Sequence, residues 1–150
     1  MIAAPAARAL LASAAILLEQ GRSLDRLSRL LTAAALLALI AIGVLAAERP
    51  VLAAILLGLA ALAGLVEAYL AIRVGFDAGL LRALTAETDA LDPAKLDTAL
   101  VSMRLIPAAK AGRPIEQRVA GACRLFYRQA AAVASQLILF LLGALAAALW

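Results

Sequence analysis

The chain has 150 residues, of which 66% are hydrophobic and only 16% are charged, with a formal net charge of +4. A soluble globular domain of average composition carries about 25% charged residues, so these values exclude an ordinary soluble domain and indicate a membrane protein. The sequence has no histidine and a single cysteine, which excludes a Ser-His-Asp triad, a histidine-ligated haem, the usual zinc sites and an internal disulfide.

Residues 1–21 are predicted to form a short amphipathic helix that lies at the membrane surface. The apolar run within them is too short to span a bilayer, and Pro5 and Arg8 interrupt its start. The run also has the length of a signal-peptide core, and the small residues at 12–14 leave cleavage open as an alternative. Gly21 is expected to break this helix.

Three stretches are long and apolar enough to cross a bilayer, namely residues 30–47, 51–72 and 130–150. About 20 helical residues cover a hydrocarbon core about 30 Å thick. Only residues 48–50 separate the first two spans, so residues 22–72 are predicted to form a transmembrane hairpin with a tight turn. Alanine and leucine dominate the chain and favour helices over strands, and the predicted fold is therefore an all-α integral membrane protein.

A helical segment on the cytoplasmic side is predicted for residues 73–129, built mainly from extensions of the second and third spans. No helix breaker follows the second span before Asp92, although Gly75 and Gly79 weaken this extension. The last helix is predicted to start at Pro114, because proline is favoured in the first turn. No helix breaker follows, so one long helix is expected from there into the third span. The apolar faces of the two extensions would otherwise meet water, so we expect them to pair.

A short separate helix is predicted within this segment, at residues 93–106. Asp92 has the side chain of an N-cap, and Pro93 takes the first helical position, where its missing N–H costs nothing. Pro107 is expected to end the helix.

The positions of the arginines predict the orientation in the membrane. Eight of them flank the predicted spans on one side: Arg22, Arg26, Arg29, Arg73, Arg82, Arg118, Arg124 and Arg128. The opposite side has only Arg49, next to Glu48. Basic residues collect on the cytoplasmic side of membrane proteins. The chain is therefore predicted to be a multi-pass protein of a bacterial inner membrane, with the N-terminus and residues 73–129 in the cytoplasm and the C-terminus outside.

Glu67 is the one ionisable residue within a predicted span, and Arg73 follows it at the end of that span. Ionisable side chains are costly in lipid, so such a residue is a candidate functional group. Three interpretations of this intramembrane polar site stay open. Glu67 could be an interfacial anchor or a member of a structural pair with Arg73, a contact to a partner subunit, or an ion or substrate site.

Arg118, Arg124 and Arg128 precede the third span and are candidate contacts for anionic lipid headgroups. The alternative is that these three residues only set the topology. Small residues recur at a spacing of four in the spans, as in Ala60 and Gly64, which permits close helix contacts. No pattern indicates a catalytic, cofactor or metal site, and the basic residues give no sign of nucleic-acid binding.

These features favour a non-catalytic accessory or scaffolding subunit of a larger inner-membrane complex. Its expected partners are membrane lipid and other membrane-protein subunits, or copies of itself. A small self-assembling transporter or pore is the alternative, with Glu67 in the pathway, because three spans are too few for a path through one chain. A lipid-modifying enzyme that uses Glu67 and Asp77 is the third hypothesis, although its carboxylates lack a metal-binding spacing.

Overall fold

The computed structural model of the chain describes residues 4–45, 50–86, 93–104, 107–108 and 111–149. These residues form helices and turns, with no strand among them. In chain order the helices are α1 (Ala4–Glu19), α2 (Gly21–Leu45), α3 (Val51–Ala86), α4 (Pro93–Ser102) and α5 (Ile115–Ala148). The described part of the chain is therefore all-α, as the sequence predicts.

Three helical stretches are long and apolar enough to cross a membrane: Pro5–Leu45, Val51–Ala86 and Ile115–Ala148. The first stretch consists of α1 and α2 together. Only Gln20 separates these two helices, and its carbonyl accepts a hydrogen bond of 3.0 Å from the Ser23 N–H, which continues the helical path. Residues 30–45, 51–72 and 130–148 of the three predicted spans each lie in one of these stretches, and residues 46–47 and 150 are outside the described residues. Residues 46–49, which include most of the predicted hairpin turn, are outside the described residues.

The extension of α3 packs against the start of α5. α3 continues as one helix through Gly75 and Gly79 to Ala86, well beyond the predicted end of the span at residue 72. Val74 and Leu81 of α3 and Val119 of α5 are buried in one apolar core. The prediction that the two extensions pair is confirmed by this packing.

α1 belongs to the same apolar core. Leu11 and Leu18 are almost fully buried, and Ala14 and Ala15 lie between them on the same face of the helix. This face contacts α3 and α5, and Arg82 of α3 forms an ion pair with Glu19 at the end of α1. α1 is thus the third helix of a bundle with the two extensions. The position of residues 1–21 at a membrane surface stays a prediction.

Small residues permit close helix contacts near the start of α3 and the end of α5. Ala35, Leu57 and Ala60 form a second buried cluster there. A Cβ added to Gly143 of α5 would lie only 2.9 Å from Leu57 Cγ, so this position admits no larger residue without a shift of its neighbour. The predicted close packing at small residues therefore occurs at Gly143. At Gly43 and Gly58, in contrast, no described atom lies within 4 Å of an added Cβ.

α4 is shorter than the predicted helix at 93–106. It ends at Ser102, and Arg104 adopts a left-handed backbone conformation with a φ of 57°, which cannot continue a right-handed helix. The predicted N-cap, Asp92, lies outside the described residues.

Candidate functional site

Five polar side chains lie together where α2, α3 and α5 meet, and we call them the polar cluster: Ser28, Thr32, Glu67, Gln129 and Gln136. The relative exposure of Glu67, Gln129 and Gln136 is 0%. Each residue lies within one of the three helical stretches that could cross a membrane. Polar groups buried between apolar helices must satisfy one another, because neither lipid tails nor apolar side chains accept or donate hydrogen bonds.

One half of the polar cluster centres on the Gln136 amide. Its Nε2 donates hydrogen bonds to Thr32 Oγ1 (2.8 Å) and to the Ser28 carbonyl (3.1 Å). Its Oε1 accepts a hydrogen bond of 2.7 Å from Ser28 Oγ. Both donor hydrogens and the acceptor of the amide therefore have partners on α2. A fully satisfied buried network of this kind holds two helices in one register.

Gly64 gives the polar cluster the space that it needs. A Cβ at this position of α3 would lie 2.7 Å from Gln136 Nε2 and still closer to Thr32 Oγ1. Glycine is therefore required for the three helices to approach one another at this level.

The other half of the polar cluster centres on Gln129. Its Nε2 donates hydrogen bonds to Glu67 Oε1 (2.7 Å) and to the Gly21 carbonyl (2.9 Å). A Cβ on Gly21 would lie 2.8 Å from Gln129 Oε1, so the first residue of α2 must also be small. The single Gln129 amide thus joins α2, α3 and α5.

Two oxygen atoms of this half have no hydrogen-bond partner among the described residues. They are Glu67 Oε2 and Gln129 Oε1, and both are buried. A buried acceptor without a donor costs about 1–3 kcal/mol relative to a paired one. Each of these two oxygen atoms can therefore accept a hydrogen bond from a further donor.

Exposed arginines surround the bundle near the level of Gln129 and Glu67. Since Gly21 contacts Gln129, and one residue advances an α-helix by about 1.5 Å, Arg22 and Arg26 of α2 lie within about 8 Å of this level along the bundle. Arg124 and Arg128 lie equally close to it along α5. Arg29 is the last charged residue of α2, and the described residues of the three helices beyond the polar cluster carry no charge. Glu67 thus lies close to the boundary between the charged and uncharged parts of the bundle.

Glu67 and Arg73, the predicted intramembrane polar site, make separate interactions. Arg73 is exposed, and its Nη1 donates a hydrogen bond of 3.0 Å to the Tyr69 hydroxyl. Its guanidinium carbon lies 5.8 Å from the centroid of the Tyr69 ring. The partner that Glu67 has within the described part of the chain is Gln129, from α5, and not Arg73.

The three arginines predicted as headgroup contacts are divided between two places. Arg118 binds Asp97 of α4 through Nη2, at 2.7 Å from Oδ1 and 2.5 Å from Oδ2, and the Gly112 N–H donates to Oδ2 at 2.7 Å. Burial by itself would raise the pKa of the Asp97 carboxyl, but the hydrogen bonds from Arg118 and Gly112 and the charge of Arg118 hold it below its ordinary value. Arg124 and Arg128 are exposed.

Four of the residues in these contacts are not predicted from the sequence: Ser28, Asp97, Gln129 and Gln136. A usable signal exists for the two glutamines, because they are polar residues seven positions apart in an apolar helix and therefore share one face. Ser28 and Thr32 of α2 have a matching spacing of four. Polar residues at helical spacing on two apolar helices are the pattern of an interhelical hydrogen-bond network.

The chemistry of the polar cluster is that of hydrogen bonding between helices. Glu67 is its one ionisable member, and no group of three or more histidine, cysteine, aspartate or glutamate residues in the described part of the chain is placed to hold a metal ion. Comparisons with protein families, with curated proteins and with solved structures find no match to this chain.

Proposed function

We propose that this chain is a non-catalytic accessory or scaffolding subunit of a larger protein complex in a bacterial inner membrane. The observation that carries the proposal is that the buried polar side chains form hydrogen bonds with one another. Gln136, Ser28 and Thr32 bind one another, and Glu67 binds Gln129, so these side chains hold the chain's own helices together. Buried networks of this kind rigidify a helix bundle, which supports a structural role.

The outer surface of the bundle supports the same proposal. Large apolar side chains such as Leu37, Leu65 and Leu145 are well exposed on the long helices. In a membrane this surface meets lipid tails or the helices of other subunits. A rigid chain with an apolar exterior is suited to bind neighbouring membrane helices, because packing in lipid depends on fixed shapes and not on water exclusion.

The orientation proposed for the subunit follows from its arginines. All of the described arginines lie in the part of the bundle formed by α1, the start of α2, the extensions of α3 and α5, and α4. Under the positive-inside rule this end is cytoplasmic, and the uncharged end, which includes Gly143, faces the periplasm. Labelling of single cysteines introduced at Ser102 and at Leu149, in a variant without Cys123, tests the assignment. Protection of position 102 and modification of position 149 in intact cells support it, and the reverse pattern contradicts it.

Co-purification tests the role as a subunit. An affinity-tagged copy at its natural expression level, extracted in a mild detergent, should retain one or more larger membrane proteins in a fixed molar ratio. Recovery of the tagged chain alone, or only with copies of itself, after chemical cross-linking in intact membranes would contradict the proposal.

A self-assembling transporter or pore remains the second candidate, and one observation favours it. Glu67 Oε2 and Gln129 Oε1 are acceptors without a donor, in the part of the bundle that could lie in a membrane. A cation or a proton that crosses the membrane could bind there. Under this hypothesis Glu67→Gln changes ion flux in proteoliposomes, whereas Asp25→Asn, which removes a partly buried carboxylate that pairs with Arg29 on α2, does not. Equal flux for the wild type and both variants rules the hypothesis out.

A further inference from the structure

The first turns of α5 contain a groove that is bordered by arginines. Arg113, Arg124 and Arg128 line a cavity of about 490 Å³ together with Gln117 and Gly121. The cavity extends along one face of the helix, because these residues recur at spacings close to three, four and seven. The lining also includes Ala120, Gly121 and Leu125, which leave space between the longer basic side chains.

The charge of this groove is not compensated within the described part of the chain. The side chains of Arg113, Arg124 and Arg128 make no ion pair with any described carboxylate. Arg118 lies on another side of the helix, where Asp97 neutralises it. The arginines of the groove therefore differ from the three predicted as headgroup contacts. Arg124 and Arg128 line the groove together with Arg113, whereas Arg118 does not.

The position of the groove along the bundle narrows the choice of ligand. Arg128 precedes Gln129, which lies at the boundary between the charged and uncharged parts of the bundle. From Arg128 the groove continues away from the uncharged end, towards Arg113. If the uncharged part lies in the hydrocarbon core, the groove opens at the depth of the lipid headgroups.

We propose that this groove binds the headgroup of an anionic phospholipid. Arg124 and Arg128 are one helical turn apart, so that their guanidinium groups can hold one phosphate between them, and arginine forks bind phosphate oxygens in pairs. Arg113 and Gln117 precede Arg124 by at least seven residues, about 10 Å or more along the helix, so they lie beyond the reach of the same headgroup. The acyl chains then lie along the uncharged part of α5. The lipid site does not depend on the role as a subunit, since it requires only that the chain lies in a membrane.

The test compares two double variants of the full chain in phosphatidylcholine nanodiscs that contain increasing fractions of phosphatidylglycerol. One is Arg124→Gln/Arg128→Gln, within the groove. The matched control is Arg22→Gln/Arg26→Gln, which removes the same charge from exposed positions near the same level of α2. Native mass spectrometry counts the phosphatidylglycerol molecules that stay bound, and thermal unfolding confirms that each variant is folded.

We expect the groove variant to weaken retention of phosphatidylglycerol about tenfold or more and the control to weaken it less than about twofold. Equal weakening by both variants would mean that the lipid responds to net charge and not to this groove, and unchanged retention in the groove variant would also overturn the proposal. A second titration uses inorganic phosphate and glycerol phosphate on the detergent-solubilised protein. Saturable binding of either one that is lost in the groove variant, without retention of phosphatidylglycerol, would assign the groove to a soluble phosphate and contradict the lipid.

Discussion

Gln129 Nε2 lies 2.7 Å from Glu67 Oε1, and both side chains are fully buried although they are 62 positions apart in the chain. The same Nε2 donates to the carbonyl of Gly21, at the start of α2. One amide therefore fixes the positions of three helices relative to one another. Glu67 is therefore a hydrogen-bonded member of a contact between helices and not an isolated charge in lipid.

Replacement of Glu67 separates hydrogen bonding from charge. In Glu67→Gln the side-chain oxygen can still accept the hydrogen bond from Gln129 Nε2. The new amide nitrogen takes the place of Glu67 Oε2, so the acceptor without a donor is removed. We expect its unfolding temperature in detergent to equal or exceed that of the wild type. Glu67→Leu has a similar volume but no acceptor, and we expect it to lose about 1–2 kcal/mol. Equal losses in the two variants would show that the charge of Glu67 is required.

Gly64 and Gly58 offer a matched pair of substitutions on α3. Gly64→Ala places a methyl group against Thr32 Oγ1 and Gln136 Nε2, and we expect a loss of about 1–3 kcal/mol from overpacking. Gly58→Ala points into open space, so its effect should be neutral or stabilising by up to about 1 kcal/mol through helix propensity. Thermal unfolding of both proteins in the same detergent provides the measurement. A Gly64→Ala protein as stable as Gly58→Ala contradicts the close helix contact.

Leu11 and Ile16 test how α1 is held. Leu11 is 0% exposed in the core that α1 shares with α3 and α5, whereas Ile16 is 64% exposed on the same helix. We expect Leu11→Ala to cost about 2–5 kcal/mol, because it leaves a cavity in this core, and Ile16→Ala to cost much less. If α1 instead lies on the membrane surface, the two variants should have similar stability and should both weaken the binding of residues 1–21 to lipid.

The contact of Asp97 with Arg118 predicts that the stability of α4 depends on pH. The pKa of the folded Asp97 carboxyl is below its ordinary value, so its contribution to stability is complete above the ordinary aspartate pKa of about 4. That contribution is lost as the pH falls through the lower pKa of the folded state. The protection factors of α4 and of Gly112 against hydrogen exchange, which correct for the intrinsic effect of pH, should therefore fall on acidification below about pH 4 before those of the polar cluster do.

Two variants control for this effect. Asp97→Asn should show fast exchange in α4 already at neutral pH and little further change on acidification, with a loss of about 2 kcal/mol in local stability. Asp25→Asn removes a partly exposed ion pair with Arg29 on one helix and should change stability little. Identical exchange of α4 in wild type and Asp97→Asn at neutral pH would refute the role given to Asp97.

Much of the fold follows from local features of the sequence. The uncharged runs determine the long helices, and Pro93 and Pro114 mark the starts of α4 and α5 within one residue. The predicted end of this helix at residue 106 is wrong, because α4 ends at Ser102 and the left-handed conformation of Arg104, which depends on the local chain path, has no strong residue signal.

The candidate site was less accessible from the sequence. Glu67 is conspicuous as a lone charge, but its partner Gln129 comes from another helix, and the pairing depends on the register of α3 against α5. Arg118 looks like Arg124 and Arg128 in the sequence, and only the path of α4 places Asp97 beside it. Contacts between distant segments are set by packing, which single-residue propensities and charge patterns do not encode.

Native mass spectrometry of the chain extracted from its own membrane in a mild detergent tests the central proposal most directly. The role of a scaffolding subunit predicts one dominant assembly whose mass exceeds that of the chain by whole copies of larger membrane proteins, identified by dissociation in the gas phase. An assembly composed only of this chain, with the same stoichiometry across detergents, would contradict that role. A self-assembled pore would then be the better hypothesis, and Glu67 would be the first residue to vary.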